Sequence, residues 1–303
     1  MVSRRQGVKR PQIYRFKLGA FEVTNILDST IARDGIHPRF GADQDAQAAH
    51  ALALANRIDP VRFEHPFAPT LVDTGRELIL FDTGNGGLAR GVGVGNFKGH
   101  LPDGDLRALL VAAGYRAEDV DIVVITHGHP DHIGGLVADG APAFANARYV
   151  FGAAEFDFWK RGENIREARK VNRELFMKIA APFAAQATFL GPGGEVVPGI
   201  RAVEAAGHSP GLMAYHLESE GQRLLIWADV VIHYVMSLAR PDWQVDVDDI
   251  KDKAVATRKR ILDMVATDKL WAIGFHMPFP SVGFVERAQG NYRWVPASYQ
   301  LNM

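Results

Sequence analysis

Residues 126–135 read Thr-His-Gly-His-Pro-Asp-His-Ile-Gly-Gly, which places three histidines and one aspartate within six positions. They follow residues 120–125, a β-branched run (Val-Asp-Ile-Val-Val-Ile) that predicts a buried strand, so the polar side chains lie on a loop at its carboxyl end. Gly128 and Pro130 predict a sharp turn in which alternate side chains converge. Imidazole and carboxylate are ligands of zinc and its first-row neighbours, so this loop is a predicted metal site.

Three later apolar runs each lead to a residue that can bind a metal: 200–205 to His208, 223–228 to Asp229 and 270–275 to His276. A single His or Asp in such a place favours a structural role, but three in series after a histidine cluster favour metal binding. Asp82, at the end of the predicted strand 77–81, is open to two interpretations. It is either a turn-forming residue or a carboxylate that orients a metal-bound histidine.

The composition indicates an ordinary globular protein, with 303 residues that are 47% hydrophobic and 23% charged. Length alone permits two domains. Because no linker composition or repeat divides the chain, we expect one domain over 1–303 with a flexible basic N-terminus at 1–13. The net charge of -1 and the scattered basic residues argue against a nucleic-acid partner. The chain has no cysteine, so a bound metal must use nitrogen and oxygen ligands.

The N-terminal residues 1–10 are basic like the start of an export signal, but no apolar segment follows them. We therefore expect a cytoplasmic protein, although a trimmed periplasmic leader would leave the same sequence. No apolar stretch approaches the roughly 20 residues that a membrane span needs, so a membrane partner is not expected. A homodimer remains open.

Two predicted helical regions bear on the site. Residues 153–185 are mostly helical in pattern and rich in aromatic residues, which are mainly core but could also wall an apolar substrate pocket. Residues 248–266 predict an amphipathic helix with an N-cap at its start. Its basic triplet 258–260 (Arg-Lys-Arg) is expected to lie on the solvated face.

The order of these motifs resembles the metallo-β-lactamase fold superfamily. From Tyr14 to Tyr299 the chain resembles the methyl parathion hydrolase branch, which is related to quorum-quenching lactonases. The segments that carry this second resemblance include 82–84 (Asp-Thr-Gly), 155–159 (Glu-Phe-Asp-Phe-Trp) and 275–280 (Phe-His-Met-Pro-Phe-Pro). The resemblance implies an α/β (α+β) fold, an αββα sandwich of two mixed β-sheets flanked by helices, with metals at one sheet edge.

The family pattern, carried over to this sequence, implies two metal sites. One ion would be bound by His127, His129 and His208, the other by Asp131, His132 and His276, and Asp229 would bridge both. Seven ligands are too many for one tetrahedral ion but suit two ions that share a carboxylate. The implied cofactors are two divalent ions, zinc first, with manganese, cobalt or iron as alternatives. A metal-bridging hydroxide would be the nucleophile, held at Asp131 and Asp229.

Two positions depart from the pattern. Leu212 stands where many relatives have a second histidine. Ile232 stands where quorum-quenching lactonases have a tyrosine three residues after the bridging aspartate, and His233 or Tyr234 is an alternative hydrogen-bond donor. This second departure argues against a strict N-acyl-homoserine lactonase.

The resemblance implies a dinuclear hydrolase of small neutral esters, lactones or organophosphotriesters, with N-acyl-homoserine lactonase as the alternative. Since no Arg or Lys in 229–240 is aimed at the metals, we expect an apolar pocket that disfavours charged phosphomonoesters and phosphodiesters. The candidate pocket residues are Phe158, Trp159, Phe176, Ile232, His233 and Tyr234.

Three other functions are less favoured. A β-lactamase needs a cation for the lactam carboxylate, and none can be placed. A flavodiiron-like redox protein normally has a flavodoxin domain, for which the chain has no room. A silent binding protein would have lost a metal ligand, and none is missing.

Overall fold

Two seven-stranded mixed sheets form the centre of the computed structural model, which describes residues 10–88 and 101–297. The first sheet contains, in spatial order, β1 (Ile13–Leu18), β2 (Phe21–Ile26), β5 (Thr70–Asp73), β6 (Leu78–Phe81), β7 (Ile122–Ile125), β10 (Arg148–Gly152) and β11 (Ala187–Leu190). The second contains β12 (Glu195–Val197), β13 (Ile200–Glu204), β14 (Met213–Ser219), β15 (Gln222–Ile226), β16 (Trp271–Ile273), β17 (Val282–Ala288) and β18 (Asn291–Pro296). Strands β6, β7, β10 and β11 are parallel, as are β15 and β16, while the other neighbours are antiparallel.

The helices are short except for the last one. They are α1 (Ala46–Ala55), α2 (Leu106–Ala112), α3 (Pro130–Ile133), α4 (Ala153–Arg161), α5 (Lys170–Ile179), α6 (Met236–Ala239) and α7 (Lys251–Thr267). Single 3₁₀ turns occur at Ala117–Asp119, Gly134–Leu136, Glu167–Arg169, Ala181–Gln186 and Ala228–Val230. The predicted helix 248–266 therefore begins at Lys251, and the stretch 153–185 divides into α4, α5 and two 3₁₀ turns.

The core has three apolar layers. Side chains such as Phe81 and Val124 meet Tyr215 and Leu224 between the sheets. Helices α2, α4 and α5 cover the outer face of the first sheet, and α7 covers the outer face of the second. Successive side chains of a strand point to opposite faces of its sheet. Because both faces of these two sheets are covered, the strands carry apolar residues on both faces. The predicted αββα sandwich of two mixed sheets is confirmed.

A two-stranded pair outside the sandwich was not predicted from the sequence. It pairs β3 (Ser29–Asp34) with β4 (Arg62–Phe67) in antiparallel register. Its Phe63 packs with Phe40, Ile232 and Met236 in a separate apolar cluster beside α1 and α6. A second small pair joins β8 (Val137–Ala138) and β9 (Ala141–Pro142). The β3–β4 pair carries residues that reach the functional site described below.

The chain ends are only partly described. Of the predicted flexible segment 1–13, residues 1–9 lie outside the described residues, and Ile13 begins β1. Tyr299, at the end of the resemblance, also lies outside them. Within 10–88 and 101–297, no helix has both the length and the apolar character needed to cross a bilayer.

Candidate metal centre

The carboxyl ends of four strands bring seven predicted ligands together. They follow β7 (His127, His129, Asp131, His132), β13 (His208), β15 (Asp229) and β16 (His276), and we call them the His/Asp cluster. Six of the seven side chains are buried, and Asp131 is partly exposed. The sequence prediction that these residues meet in space therefore agrees with the structure.

The first group of the cluster is three histidines whose ring nitrogens converge. His127 Nε2 lies 3.1 Å from His129 Nδ1, and His208 Nε2 lies 3.0 Å from the same His129 nitrogen. Ligands of a tetrahedral zinc ion, bound at about 2.0–2.1 Å, lie about 3.3 Å from one another. The spacing of the three nitrogens therefore suits ligands of one ion.

Asp229 lies between the first group and the second. Its Oδ2 is 3.2 Å from His208 Nε2 and 3.1 Å from His276 Nε2, and its Oδ1 is 3.4 Å from His132 Nε2. Asp131 Oδ2 completes the second group, 3.4 Å from His276 Nε2 and 3.6 Å from His132 Nε2. The Asp229 carboxylate thus contacts both groups, which is the arrangement expected of a ligand shared by two ions.

Two buried atoms inside the cluster indicate a cation. Within the described residues, His132 Nε2 and Asp229 Oδ1 have no hydrogen-bond partner. A buried polar atom without a partner costs about 1–3 kcal/mol, so folded proteins rarely leave one. A divalent ion between these atoms would satisfy both. The nitrogen and oxygen donors therefore fit the proposed ions.

Each histidine of the cluster uses its outer ring nitrogen to bind an oxygen. The five bonds join His132 Nδ1 to Asp82 Oδ2 (2.8 Å), His208 Nδ1 to Asp248 Oδ1 (2.9 Å), His276 Nδ1 to Pro66 O (2.7 Å), His127 Nδ1 to Thr126 Oγ1 (3.1 Å) and His129 Nε2 to Asp249 Oδ2 (3.4 Å). Such bonds fix the tautomer and the orientation of metal-binding imidazoles. The inner nitrogens are therefore held towards the centre of the cluster.

Asp82 combines the two interpretations that the sequence left open. Its φ of 60° places it in a left-handed turn after β6. Its carboxylate also accepts hydrogen bonds from the backbone N–H and the hydroxyl of Thr126, both at 2.9 Å, in addition to the bond from His132. Asp82 therefore connects the end of β6 to the loop that carries the first ligands.

The pKa values of two histidines in the cluster are shifted in opposite directions. Burial lowers the pKa of His127 well below its usual value, and His132 and His129 lower it further, so His127 is a neutral imidazole. Burial opposes protonation of His208, yet its hydrogen bonds to Asp229 and Asp248 raise its pKa to about 9. Metal ligands must be deprotonated, so binding of a cation at His208 would release a proton.

Buried Glu155 connects the two loops of the first group, a role that the sequence did not indicate. Its Oε1 accepts hydrogen bonds from Gly128 N at 2.8 Å, from Trp159 Nε1 at 2.6 Å and from the Ser209 hydroxyl. Its Oε2 accepts from Gly211 N at 2.8 Å. One carboxylate at the start of α4 therefore holds the loop after β7 against the loop after β13.

Replacing Glu155 with glutamine is expected to lower the free energy of unfolding by about 2 kcal/mol. The amide NH₂ of glutamine cannot accept, so it would face at least one N–H that now donates to a carboxylate oxygen. Urea denaturation measures the change, with Asp157→Asn on the exposed face of α4 as the control. An unchanged midpoint for Glu155→Gln would contradict this role.

Buried Asp248 and Arg258 form a second unpredicted support. Arg258 Nη2 donates to Asp248 Oδ2 at 2.7 Å, and both side chains are 1% exposed. Asp248 in turn accepts from His208. Asp248 was expected to cap the helix and Arg258 to be solvated. Both expectations are corrected, because Asp248 lies before the helix and the pair is buried beneath the metal centre.

A cavity of about 330 Å³, which we call the cluster cavity, opens onto the His/Asp cluster. Ligands of both groups line it, together with Ile232 and His65. The His65 ring stacks on His276 at 4.0 Å between centroids, and the sequence analysis did not single it out. A neighbouring side cavity of about 730 Å³ adjoins it through Ile232 and His276 and has apolar walls such as Phe63.

The predicted pocket residues fall in different places. Trp159 and Phe176 are fully buried and pack behind the loop of Gly128, so they line neither of these two cavities. Phe158 lines a separate surface cavity beside Arg166. The expected aromatic wall from 153–185 is therefore corrected, because α4 and α5 cover the outer face of the first sheet.

Residues 232–234, at the position where quorum-quenching lactonases have a tyrosine, line the two cavities. Ile232 lines the cluster cavity, whereas His233 and Tyr234 line the side cavity. His233 Nδ1 accepts from the backbone N–H of Val235 at 3.0 Å, and its ring stacks on Tyr234 at 4.7 Å. Leu212, the other departure, is fully buried in the core below α7.

The cluster cavity also has cationic walls that the sequence analysis did not place. Arg33, Arg39 and Arg169 line it. Their positions lie on β3, on the segment after β3 and in a 3₁₀ turn before α5. The expectation of an apolar pocket considered only the segment 229–240, and it is corrected because these three arginines come from other segments of the chain.

An αββα sandwich with a His/Asp cluster at its strand ends defines a class of metal-binding hydrolases. The family model described as the metallo-beta-lactamase superfamily matches residues 69–268. The chain belongs to this superfamily and is one of its hydrolases, which confirms the family resemblance in the sequence.

Solved structures support the same assignment over nearly the whole chain. The hydrolase AbOPH of the beta lactamase superfamily has a TM-score of 0.83 and 27% identity, covering 95% of this chain and 98% of its own. AidC, a dizinc quorum-quenching lactonase solved with a product, has a TM-score of 0.81 and 27% identity with the same coverage.

Curated relatives match over a shorter length. An N-acyl homoserine lactonase of Bacillus cereus is 30% identical over 118 residues, which are 39% of this chain and 41% of the relative. One of Bacillus thuringiensis is 29% identical over 154 residues, 50% of this chain and 54% of the relative. The chain therefore matches about half the length of these relatives or less.

Proposed function

We propose that this protein is a dinuclear metal-dependent hydrolase of ester bonds, with lactones and carboxylic esters as its main substrates and organophosphotriesters as further ones. The observation that carries the proposal is the Asp229 carboxylate, which contacts both ligand groups. The chain has no cysteine, so a thiol nucleophile is excluded. Two bound ions would polarise the scissile carbonyl or phosphoryl group and lower the pKa of a water from about 15.7 towards about 7.

The side chains of the cluster and its surroundings would then have separate roles. One ion would be held by His127, His129 and His208, the other by Asp131, His132 and His276, with Asp229 shared. The outer hydrogen bonds that the histidines donate to Asp82, Asp248 and Asp249 would keep the imidazoles in place when substrate binds. Ile232 and His65 would exclude water from one side of the cluster cavity.

Elemental analysis of the purified protein is expected to approach two equivalents of zinc, or of manganese, cobalt or iron, per chain. His276→Ala removes a ligand of the second group only, so it should reduce the metal content towards one equivalent per chain. His50→Ala, on α1 and outside the cluster, is the control and should keep two. A reproducible value near one in the fully active wild-type protein would contradict the shared role of Asp229.

Substrate class is tested with a panel of lactones, aryl esters and phosphotriesters assayed with defined metals. Turnover of lactones and aryl esters supports the proposal. A metal-replete protein that hydrolyses none of the three classes contradicts it. Because Arg33, Arg39 and Arg169 line the cluster cavity, substrates that carry a negative charge are not excluded.

An N-acyl-homoserine lactonase is the second candidate. It is favoured by the curated relatives and by the similarity to AidC, which are described as lactonases of this kind. Ile232, which stands at the usual tyrosine position, argues against it because an alkyl group cannot donate a hydrogen bond. Hydrolysis of N-acyl-homoserine lactones far above simple lactones would favour this candidate.

A further inference from the structure

Arg39 is a half-buried cation that faces the cluster cavity. In the part of the chain that the structure describes, its guanidinium makes no hydrogen bond and no ion pair with a side chain. Burial and the nearby Arg33 lower the pKa of Arg39 to about 10, although Asp246 partly opposes both effects. A partly desolvated guanidinium is costly unless an acceptor binds it, so its position indicates a ligand rather than a contribution to stability.

The backbone around Arg39 is firmly held. The next residue, Phe40, is 1% exposed and packs edge-on against Phe63 at 5.9 Å and His233 at 5.1 Å. The Arg39 carbonyl also accepts from Asp246 N at 2.8 Å. The Arg39 side chain therefore projects from an anchored backbone segment. This suits a binding residue, because less conformational entropy is lost when a ligand binds.

The charges around the cavity favour an anion. Arg169 is already paired, since its Nε donates to Asp249 Oδ1 at 2.9 Å, an oxygen that also accepts from Arg166. The acidic walls, Asp131 and Asp229, belong to the cluster and would be occupied by the ions. Arg33 interacts electrostatically with Asp131, but once Asp131 binds metal this attraction is reduced. The cavity wall at Arg39 would then be positive.

We propose that Arg39, with Arg33 beside it, forms an anion subsite that selects esters or lactones carrying a carboxylate or phosphate group apart from the scissile bond. The inference rests on the proposed function, because the scissile bond would lie at the His/Asp cluster. A guanidinium binds carboxylate and phosphate oxygens through two parallel N–H donors, which gives both orientation and affinity. The cluster cavity of about 330 Å³ is large enough for a small substrate.

The test uses two aryl esters with the same leaving group and similar acyl length. Mono-4-nitrophenyl glutarate carries a terminal carboxylate, and 4-nitrophenyl butyrate does not. We expect wild-type, metal-replete protein to have the higher kcat/KM on the glutarate ester. Arg39→Met should lower the ratio of the two kcat/KM values by about 10- to 100-fold, mainly through the KM of the glutarate ester.

A binding measurement separates the subsite from catalysis. Titration calorimetry with glutarate and with inorganic phosphate should show weaker binding of the preferred anion to Arg39→Met than to the wild type. The anion that loses more affinity identifies the group that the subsite recognises. The control is Arg287→Met, an exposed arginine that pairs with Asp263 far from the cavity, and it should change neither binding nor the kinetic ratio.

The two proposals fail in different ways. If Arg39→Met changes neither the kinetic ratio nor the calorimetric affinity, the subsite is contradicted while ester hydrolysis stands. If wild-type protein with two metals hydrolyses neither of these esters and no lactone or phosphotriester of the panel, the proposed function is contradicted. In that case, weaker anion binding by Arg39→Met would still support the subsite itself.

Discussion

Replacing Asp229 with alanine is expected to remove metal from the protein and to lower kcat on its best ester by about 10³-fold or more. The Asp229 carboxylate is within 3.4 Å of histidines from both ligand groups, so its loss would remove the ligand proposed to set the spacing of two ions. Lewis-acid activation contributes several kcal/mol, and each 1.36 kcal/mol is about tenfold in rate. Steady-state kinetics and elemental analysis of the same preparation measure both effects.

Two further variants make the Asp229 experiment specific. Asp229→Asn keeps the size of the side chain but removes its charge, and we expect it to lose metal as well. Asp242→Asn, whose aspartate pairs with Arg240 on the surface, is the control and should keep full metal content and rate. Near-normal turnover by Asp229→Ala with two metals bound would require the ions to be held and spaced in another way.

The sequence predicted the cluster well because its information is local. The β-branched run before His127 predicts β7, and the glycines and proline after it predict the turn. Each later ligand follows an apolar strand, so its position at a strand end could be read from a few neighbours. The grouping of seven ligands into two sets came from the family resemblance, and the observed distances agree with it.

The walls of the cluster cavity could not be predicted because they depend on long-range pairing. Arg33 and His65 reach the site through the β3–β4 pair, in which Ile31 opposes His65, far in sequence from the histidine loop. Neither strand has a pattern that indicates this position outside the main sheets. The aromatic residues of α4 and α5 were assigned to the pocket by proximity in sequence, but their faces pack on the first sheet instead.

Arg258 is different, because a signal for its burial was present in the sequence. It lies three and four residues before Ile261 and Leu262, and four after Ala254, so helical periodicity places it on the apolar face of α7. All four side chains are buried. Charge alone predicts a solvated triplet, whereas the position of Arg258 on the helix predicts that its side chain is buried. Lys259 and Arg260 are exposed, as predicted for the triplet as a whole.

Replacing Arg258 with methionine is expected to lower the free energy of unfolding by about 3–5 kcal/mol. The change leaves the Asp248 carboxylate buried without its cation. It also removes the hydrogen bonds from Arg258 to the backbone oxygens of Val230 at 3.1 Å and Trp243 at 2.9 Å, and Val230 follows Asp229 directly. Because Asp248 orients His208, metal affinity should fall by about 10- to 100-fold as well.

Urea denaturation and metal titration against a competing chelator measure the two effects of Arg258→Met. Lys259→Met is the matched control, since it removes an exposed charge from the adjacent position of the same helix and should change the free energy of unfolding by less than about 0.5 kcal/mol.

The double variant Arg258→Met with Asp248→Asn tests the cause of the lost stability. If the unpaired Asp248 charge causes it, the double variant should be more stable than Arg258→Met alone. A cost below about 1 kcal/mol for Arg258→Met, together with unchanged metal affinity, would mean that the buried pair supports neither the fold nor His208.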